Sequence, residues 1–252
     1  MRKKSRYSAN NTSWNNISRL SLRLLLRKCL AYFVACSLII VFIFRFLPVP
    51  TSAFMLYRHY QDLIEDQSVK TIDYQWVSSK NISPNASSAV IASEDQLFYQ
   101  HFGFDLNAIK TAINAYINGG HRLRGASTIS QQVAKNLFLT PSKTFIRKGL
   151  EVWFTLLIEL LWSKERILTI YLNIAEFGDH LFGIEAASRY YFGTSAKNIT
   201  RSQAALLAAT LPNPLKLKAE HPSSYVLRRQ SWILRQMNNQ NQENTTHHLV
   251  YF

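Results

Sequence analysis

Apolar residues recur at helical spacing along most of the chain, and their longest run comes early. Cys29 to Phe44, CLAYFVACSLIIVFIF, is uncharged and apolar; Arg45 interrupts the run, and Phe46-Leu47 follow before Pro48. As a helix, residues 29–47 rise about 28 Å at 1.5 Å per residue, close to the roughly 30 Å of a bilayer's hydrocarbon core. Arg45 sits at the far end, where its long stem reaches the interface. The pattern predicts one transmembrane anchor over 29–47. A cleaved signal peptide with Thr51-Ser52-Ala53 as its small-residue site is the alternative, and the long leader, 1–28, speaks against it.

Pro48 and Pro50 stop the membrane helix, and residues 48–80 read as a connector with some local structure. Beyond it the spacing predicts helices over 85–99, 105–118, 127–139, 142–161, 164–175 and 181–192. Thr200-Arg201-Ser202-Gln203 has the form of a capping box and opens a further helix that ends at Pro212. A last helix is predicted over about 224–238. No convincing run of alternating strand positions occurs. Leu150 to Trp162 is apolar enough to suggest a second span, but it is short and holds Glu151 and Glu159, so it reads as a buried core helix. The exported part is therefore expected to be one mostly α domain over 81–240, followed by a polar, frayed tail over 241–252.

Charge changes this picture at the N-terminus. The net charge of the 252 residues is +14. Arg2, Lys3, Lys4, Arg6, Arg19, Arg23, Arg27 and Lys28 all lie in the leader, and the first acid is Asp62, so only +6 remains for residues 29–252. The positive-inside rule places such a leader in the cytoplasm and the following domain outside it. Because the charge marks topology, nucleic-acid binding is not expected. Both cysteines, Cys29 and Cys36, lie in the span, so the exported part cannot depend on disulfides.

Four polar groupings carry candidate chemistry. Glu94 follows the apolar run Ala89-Val90-Ile91-Ala92, and a carboxylate beside an apolar surface suits general acid or base work. If its helix continues, Glu94, Phe98 and His101 share one face; spacing alone fits a solvated glutamate and a structural histidine as well. On a helix over 127–139, Ser127, Gln131 and Lys135 form one stripe and Thr128, Gln132 and Asn136 the next. Ser, Thr and Asn are poor interior helix formers, so this face suggests recognition of sugar hydroxyls or phosphate. Arg147 and Lys148 stand four and three residues before Glu151, either as an intrahelical ion pair or as a grip on a diphosphate, alone or with a divalent metal. In Ser163 to Gly178 the reading is packing, with Asn173 and Glu176 as polar supports. Walker-A, C-x-x-C and H-E-x-x-H patterns are absent.

Taken in order, these segments resemble the glycosyltransferase domain of peptidoglycan synthases, glycosyltransferase family 51. The pattern E-D-x-x-F-x-x-H-x-G falls on Glu94, Asp95, Phe98, His101 and Gly103. G-x-S-T-x-x-Q-Q-x-x-K-N falls on Gly125, Ser127, Thr128, Gln131, Gln132, Lys135 and Asn136. R-K-x-x-E falls on Arg147, Lys148 and Glu151, and K-x-x-I-L-x-x-Y-L-N on Lys164, Ile167, Leu168, Tyr171, Leu172 and Asn173. RSQAALLAATLPNP, Arg201 to Pro214, completes the set. The resemblance implies a lysozyme-like, two-lobed helical domain whose smaller lobe lies against the membrane. It implies polymerisation of lipid II, with the nascent glycan strand as second substrate and undecaprenyl diphosphate released. Glu94 is then the base. Asp95, His101, Ser127, Thr128, Gln131, Gln132, Lys135, Asn136, Arg147 and Lys148 serve substrate binding.

Glu151 either holds a divalent cation, Mg or Mn, on the diphosphate or orients the cations, and no organic cofactor is expected. The implied setting is the bacterial inner membrane, with the domain on the periplasmic side and other cell-wall synthesis proteins as partners. Only 38 residues follow Pro214, and neither S-x-x-K nor K-T-G occurs, so a monofunctional enzyme without a transpeptidase is expected. The apolar Leu137-Phe138-Leu139 and Phe145 are expected to dip into the lipid interface. The rival readings are a glycan-cleaving lytic transglycosylase or lysozyme, and a non-catalytic membrane-anchored scaffold.

Overall fold

The computed structural model describes residues 9–65, 68–118, 127–142 and 144–250. Most of the leader's first cations and Gly119, Gly120 and Gly125 lie outside the described residues. The first unit, up to Phe44, consists of helix α1, Ala9–Phe46, which ends just beyond it. Its stretch Leu22–Phe46 is long and apolar enough to cross a membrane, with a mean hydropathy of 2.4. The stretch contains the predicted 29–47 up to Phe46 and also takes in Arg23, Arg27 and Lys28 at its leading end. One N-terminal apolar helix of this kind fits a single-pass anchor.

The second unit, from Arg45 onward, is mostly α. The connector is more structured than its sequence suggests: α2 spans Ala53–Glu65 and a short strand, β1, spans Asp73–Tyr74. Then come α3 (Pro84–Glu94), α4 (Leu106–Ile117), α5 (Ile129–Phe138), α6 (Phe145–Leu161) and α7 (Lys164–Ile174). Strands β2 (Glu176–Gly178) and β3 (Leu181–Phe182) precede α8 (Ile184–Phe192), α9 (Arg201–Thr210) and α10 (Ser224–Val250). Local capping sets most starts. Ser83, Asp105, Thr144, Ser163 and Thr200 each accept a backbone N–H from the first turn of the helix they open, satisfying donors that have no intrahelical partner.

Two expectations fail here. A three-stranded sheet of order β1-β3-β2 exists, parallel between β1 and β3 and antiparallel between β2 and β3. Its strands are too short for alternation to show, and side-chain clamps hold β2 and the segment that follows β1. Asn173 donates to Val77 O at 2.9 Å and accepts from Val77 N at 2.8 Å. Arg58 of α2 forks onto Glu176 at 2.9 and 2.8 Å. The tail also differs: α10 runs on to Val250 instead of ending near 238. Its Gln residues are good helix formers and its Asn residues weak ones, neither of them breakers.

The core lies where α5 packs on α6 and α7, and where α3 packs on α9 and α10. Phe98, Ile129, Ile158, Ile167, Ile170, Tyr171 and Leu172 are fully buried there. By contrast α4 buries no residue. Leu106, Ile113, Tyr116 and Ile117 on it are exposed, as are Phe145 (98 %) and Ile146 (80 %) at the start of α6. The lipid-facing expectation therefore needs correction in part. Leu137 and Leu139 are buried, and Phe138 stacks on Phe154 at 4.4 Å between ring centroids. These three are packing residues; Phe145 alone of the four is free of the core.

Candidate active site

Glu94 is the last helical residue of α3, and Asp95 leaves the helix at φ −162°. The face predicted for Glu94, Phe98 and His101 on a continued helix therefore does not form. The chain turns because the Asp95 carboxylate is held elsewhere. It accepts the backbone N–H of Ile129 at 3.0 Å and pairs with His101 Nε2 at 2.9 and 3.1 Å. Burial raises the Asp95 pKa, against the pull of His101, the Ile129 N–H and Lys164. Asp95 and His101 thus form an internal clasp between the end of α3 and the start of α5. Gly103 completes the turn at φ +76°, and a Cβ there would stand 2.8 Å from Thr155 Cγ2. Only glycine combines that backbone with that approach.

The polar residues of α5 divide by role. Thr128 and Gln131 form a reciprocal capping box, and the Thr128 hydroxyl donates to Gly103 O at 2.7 Å. These two side chains are committed to the helix start, a signal of the same T-x-x-Q form as the one at Thr200. Ser127 precedes the helix and stays exposed. Gln132 faces the site: its Nε2 donates to Glu94 Oε2 at 3.1 Å and its Oε1 accepts from the Tyr171 hydroxyl at 3.2 Å. Asn136 lies one turn further on, half-buried.

Glu151 of α6 is buried, with 3 % of its surface exposed. Arg147 Nη1 donates to its Oε2 at 2.5 Å, and Lys148 Nζ donates to its Oε1. Lys135 joins this group. Its ammonium feels Glu151, Arg147, Lys148 and Glu94, and burial lowers its pKa below the ordinary 10.5. Three cations therefore gather about one buried carboxylate, within electrostatic reach of Glu94. This arrangement does not fit a resident divalent ion on Glu151, since both its oxygens are taken by cations. No cluster of three His, Cys, Asp or Glu suited to a metal occurs among the described residues.

Behind these groups lies a second network. Ser130 and Lys164 both donate to Glu159 Oε1, Lys164 at 2.8 Å. The Lys164 ammonium also lies 4.6 Å from the centre of the Phe98 ring, a cation–π contact. Lys164, which the K-x-x-I-L-x-x-Y-L-N pattern includes, thereby packs the first motif against the second.

In front of Glu94 a cleft of about 310 Å³ is lined by Ser93, Glu94, Asp95, Gln96, Asp105 and Ser127, among others. Three contributors escaped the sequence reading. Tyr171 was assigned to packing, yet its hydroxyl reaches Gln132. Ser93 Oγ donates to Glu94 Oε1 at 2.9 Å. Arg229 of α10 lies 3.3 Å from the same oxygen. The Tyr171 hydroxyl had its motif position as a signal. Ser93 and Arg229 had none, because their approach to Glu94 depends on how α3 and α10 pack.

The chain is similar to known proteins over most of its length. A profile of the family described as Transglycosylase matches residues 61–238. A biosynthetic peptidoglycan transglycosylase of Haemophilus influenzae is 54 % identical over 208 residues, covering 82 % of this chain and 85 % of its own. One from Mannheimia succiniciproducens is 51 % identical over 225 residues, covering 88 % and 92 %. One from Pasteurella multocida is 51 % identical over 212 residues, covering 84 % and 86 %. With its helical, lysozyme-like domain and an N-terminal apolar helix, the chain belongs to the transglycosylase family.

Proposed function

We propose that this transglycosylase polymerises glycan chains of peptidoglycan from lipid II. The growing strand, held on undecaprenyl diphosphate, is transferred to the GlcNAc 4-hydroxyl of the incoming lipid II. Glu94 takes the proton of that hydroxyl, and the oxygen's electron pair forms the new bond to the anomeric carbon. The bond from that carbon to the diphosphate breaks with its electrons, and inversion follows from attack on the opposite face. The diphosphate leaves as an anion, so it needs charge stabilisation more than a proton. Lys135, Arg147 and Lys148 supply it, while Glu151 orients two of the three. Ser127, Gln132 and Asn136 line the approach for sugar and phosphate oxygens. Thr128 and Gln131 support it by fixing the start of α5, and Asp95 and His101 by fixing the turn after Glu94.

The observation that carries this reading is the cation cluster beside a half-buried glutamate. A glycan-cleaving enzyme has no anionic leaving group to hold and no use for it. The names of the relatives point to the same polymer.

The substrate's lipid tail stays in the bilayer, and an anchored enzyme meets it by search in two dimensions. The basic leader favours a cytoplasmic N-terminus, hence a catalytic domain on the periplasmic face of the inner membrane. Exposed Phe145, Ile146 and the apolar face of α4 suit contact with that surface.

The test is extension of labelled lipid II by the wild-type chain and by Glu94→Gln, beside incubation with purified sacculi. Polymer from lipid II, lost in the variant, is expected. Release of fragments from sacculi without extension of lipid II would establish the cleaving activity instead, and full polymerisation by Glu94→Gln would remove Glu94 as the base.

A further inference from the structure

Among the described residues, α10 reaches the Glu94 carboxylate through one side chain, Arg229. Arg229 Nη2 lies 2.9 Å from Ser93 Oγ, 3.5 Å from Ser93 O and 3.3 Å from Glu94 Oε1. Ser93 Oγ itself donates to Glu94 Oε1 and reaches Ala208 O of α9 at 3.2 Å. Arg229 and Ser93 thus converge on one oxygen of Glu94, and Gln132 meets the other. The Arg229 side chain is only 22 % exposed and that of Glu94 only 14 %. Their attraction is therefore less screened than that of a surface pair.

We propose that Arg229 is a positioning residue for the base, a role that rests on the reading of Glu94 given above. Its guanidinium and the Ser93 hydroxyl hold Oε1 in place. Oε2, beside Gln132, is then the oxygen that faces the acceptor and receives the proton of its 4-hydroxyl. Arg229 touches neither sugar nor diphosphate. It acts through Glu94, by keeping the carboxylate aimed while α3, α9 and α10 pack together behind it.

The full chain is assayed with labelled lipid II as Arg229→Ala, Arg229→Lys and Arg228→Ala. Arg228, its exposed neighbour, loses the same charge without a contact to Glu94. Arg229→Ala is expected to lower kcat roughly 10- to 100-fold with KM unchanged. Arg229→Lys is expected to recover part of the loss, and Arg228→Ala to behave as wild type. Wild-type kcat in Arg229→Ala overturns the proposal. So does a raised KM with kcat intact, which would make Arg229 a substrate contact, or an equal loss in Arg228→Ala. Should Arg229→Ala fail to fold, Arg229→Gln is judged by the same split. A wild-type chain that does not extend lipid II removes the underlying reading, whereas active wild type with insensitive Arg229 variants removes this proposal alone.

Discussion

Gln132 Nε2 donates to Glu94 Oε2 at 3.1 Å. An amide can present either its oxygen or its nitrogen, and only the nitrogen suits an ionised carboxylate. Tyr171 fits the same orientation: its hydroxyl donates to Gln132 Oε1 at 3.2 Å. Burial, together with Glu94 and Asp95, raises the Tyr171 pKa well above 10, so the phenol stays a donor throughout the working range.

The first prediction follows from that chain of contacts. A hydrogen bond to a charged group is worth about 1.5–3 kcal/mol. Gln132→Ala is therefore expected to lower kcat for lipid II roughly 10- to 100-fold. Tyr171→Phe should cost less, since the amide keeps its place and loses only the group that orients it. Steady-state kinetics on the two variants checks the order.

Lys135 sets an alkaline limit. Burial, reinforced by Arg147 and Lys148 and opposed by Glu151 and Glu94, lowers its pKa below the ordinary 10.5. If its charge supports departure of the diphosphate, activity falls as pH rises through that lowered value. Lys135→Arg, always charged, is expected to move the alkaline limb of the kcat profile to higher pH. Stability has the opposite slope. Between the lowered value and 10.5 the unfolded chain binds more protons, so the ammonium's contribution rises with pH through that window. Denaturation at a series of alkaline pH values reads this directly.

The Asp95 clasp is structural, and its loss should appear in stability. Asp95→Ala strands the Ile129 N–H and His101 Nε2 in a buried place, at a cost of about 1–3 kcal/mol each where no water replaces the carboxylate. A lower melting temperature is the expected result. Lost activity at an unchanged melting temperature would make Asp95 a substrate contact instead.

Gly103→Ala tests the turn beneath Glu94. A non-glycine residue at φ +76° costs of order 1–3 kcal/mol, and the added methyl would also press on Thr155 and Glu159. Chemical denaturation is expected to show a destabilisation at least that large. A neutral result would mean that the backbone relaxes away from the left-handed conformation.

Much of this protein is local and so legible in its residues. The apolar stretch before Pro48, the helical periods, the Thr200 cap and the cation spacing before Glu151 all repeat or signal within a few positions. Glu94, Gln132, Lys135, Arg147, Lys148 and Glu151, named from motifs, do come together. Other features depend on partners far along the chain. Where α3 ends was decided by the hold of Ile129 on Asp95, 34 residues away. The short strands show no alternation of their own; Arg58 clamps Glu176 of β2 from 118 residues away, and Asn173 holds Val77, just beyond β1.

The sequence by itself therefore determined the helices, the apolar N-terminal one among them, and the kinds of side chain available for catalysis, since periodicity and capping act within a turn or two. Tertiary structure decided what each of those side chains contacts. Thr128 and Gln131 went to a cap, Asp95 and His101 to a clasp, and Leu137 and Leu139 to the core. Arg229, 135 residues from Glu94, came to its carboxylate only because α3 and α10 pack together, and contact at such separation has no local signature.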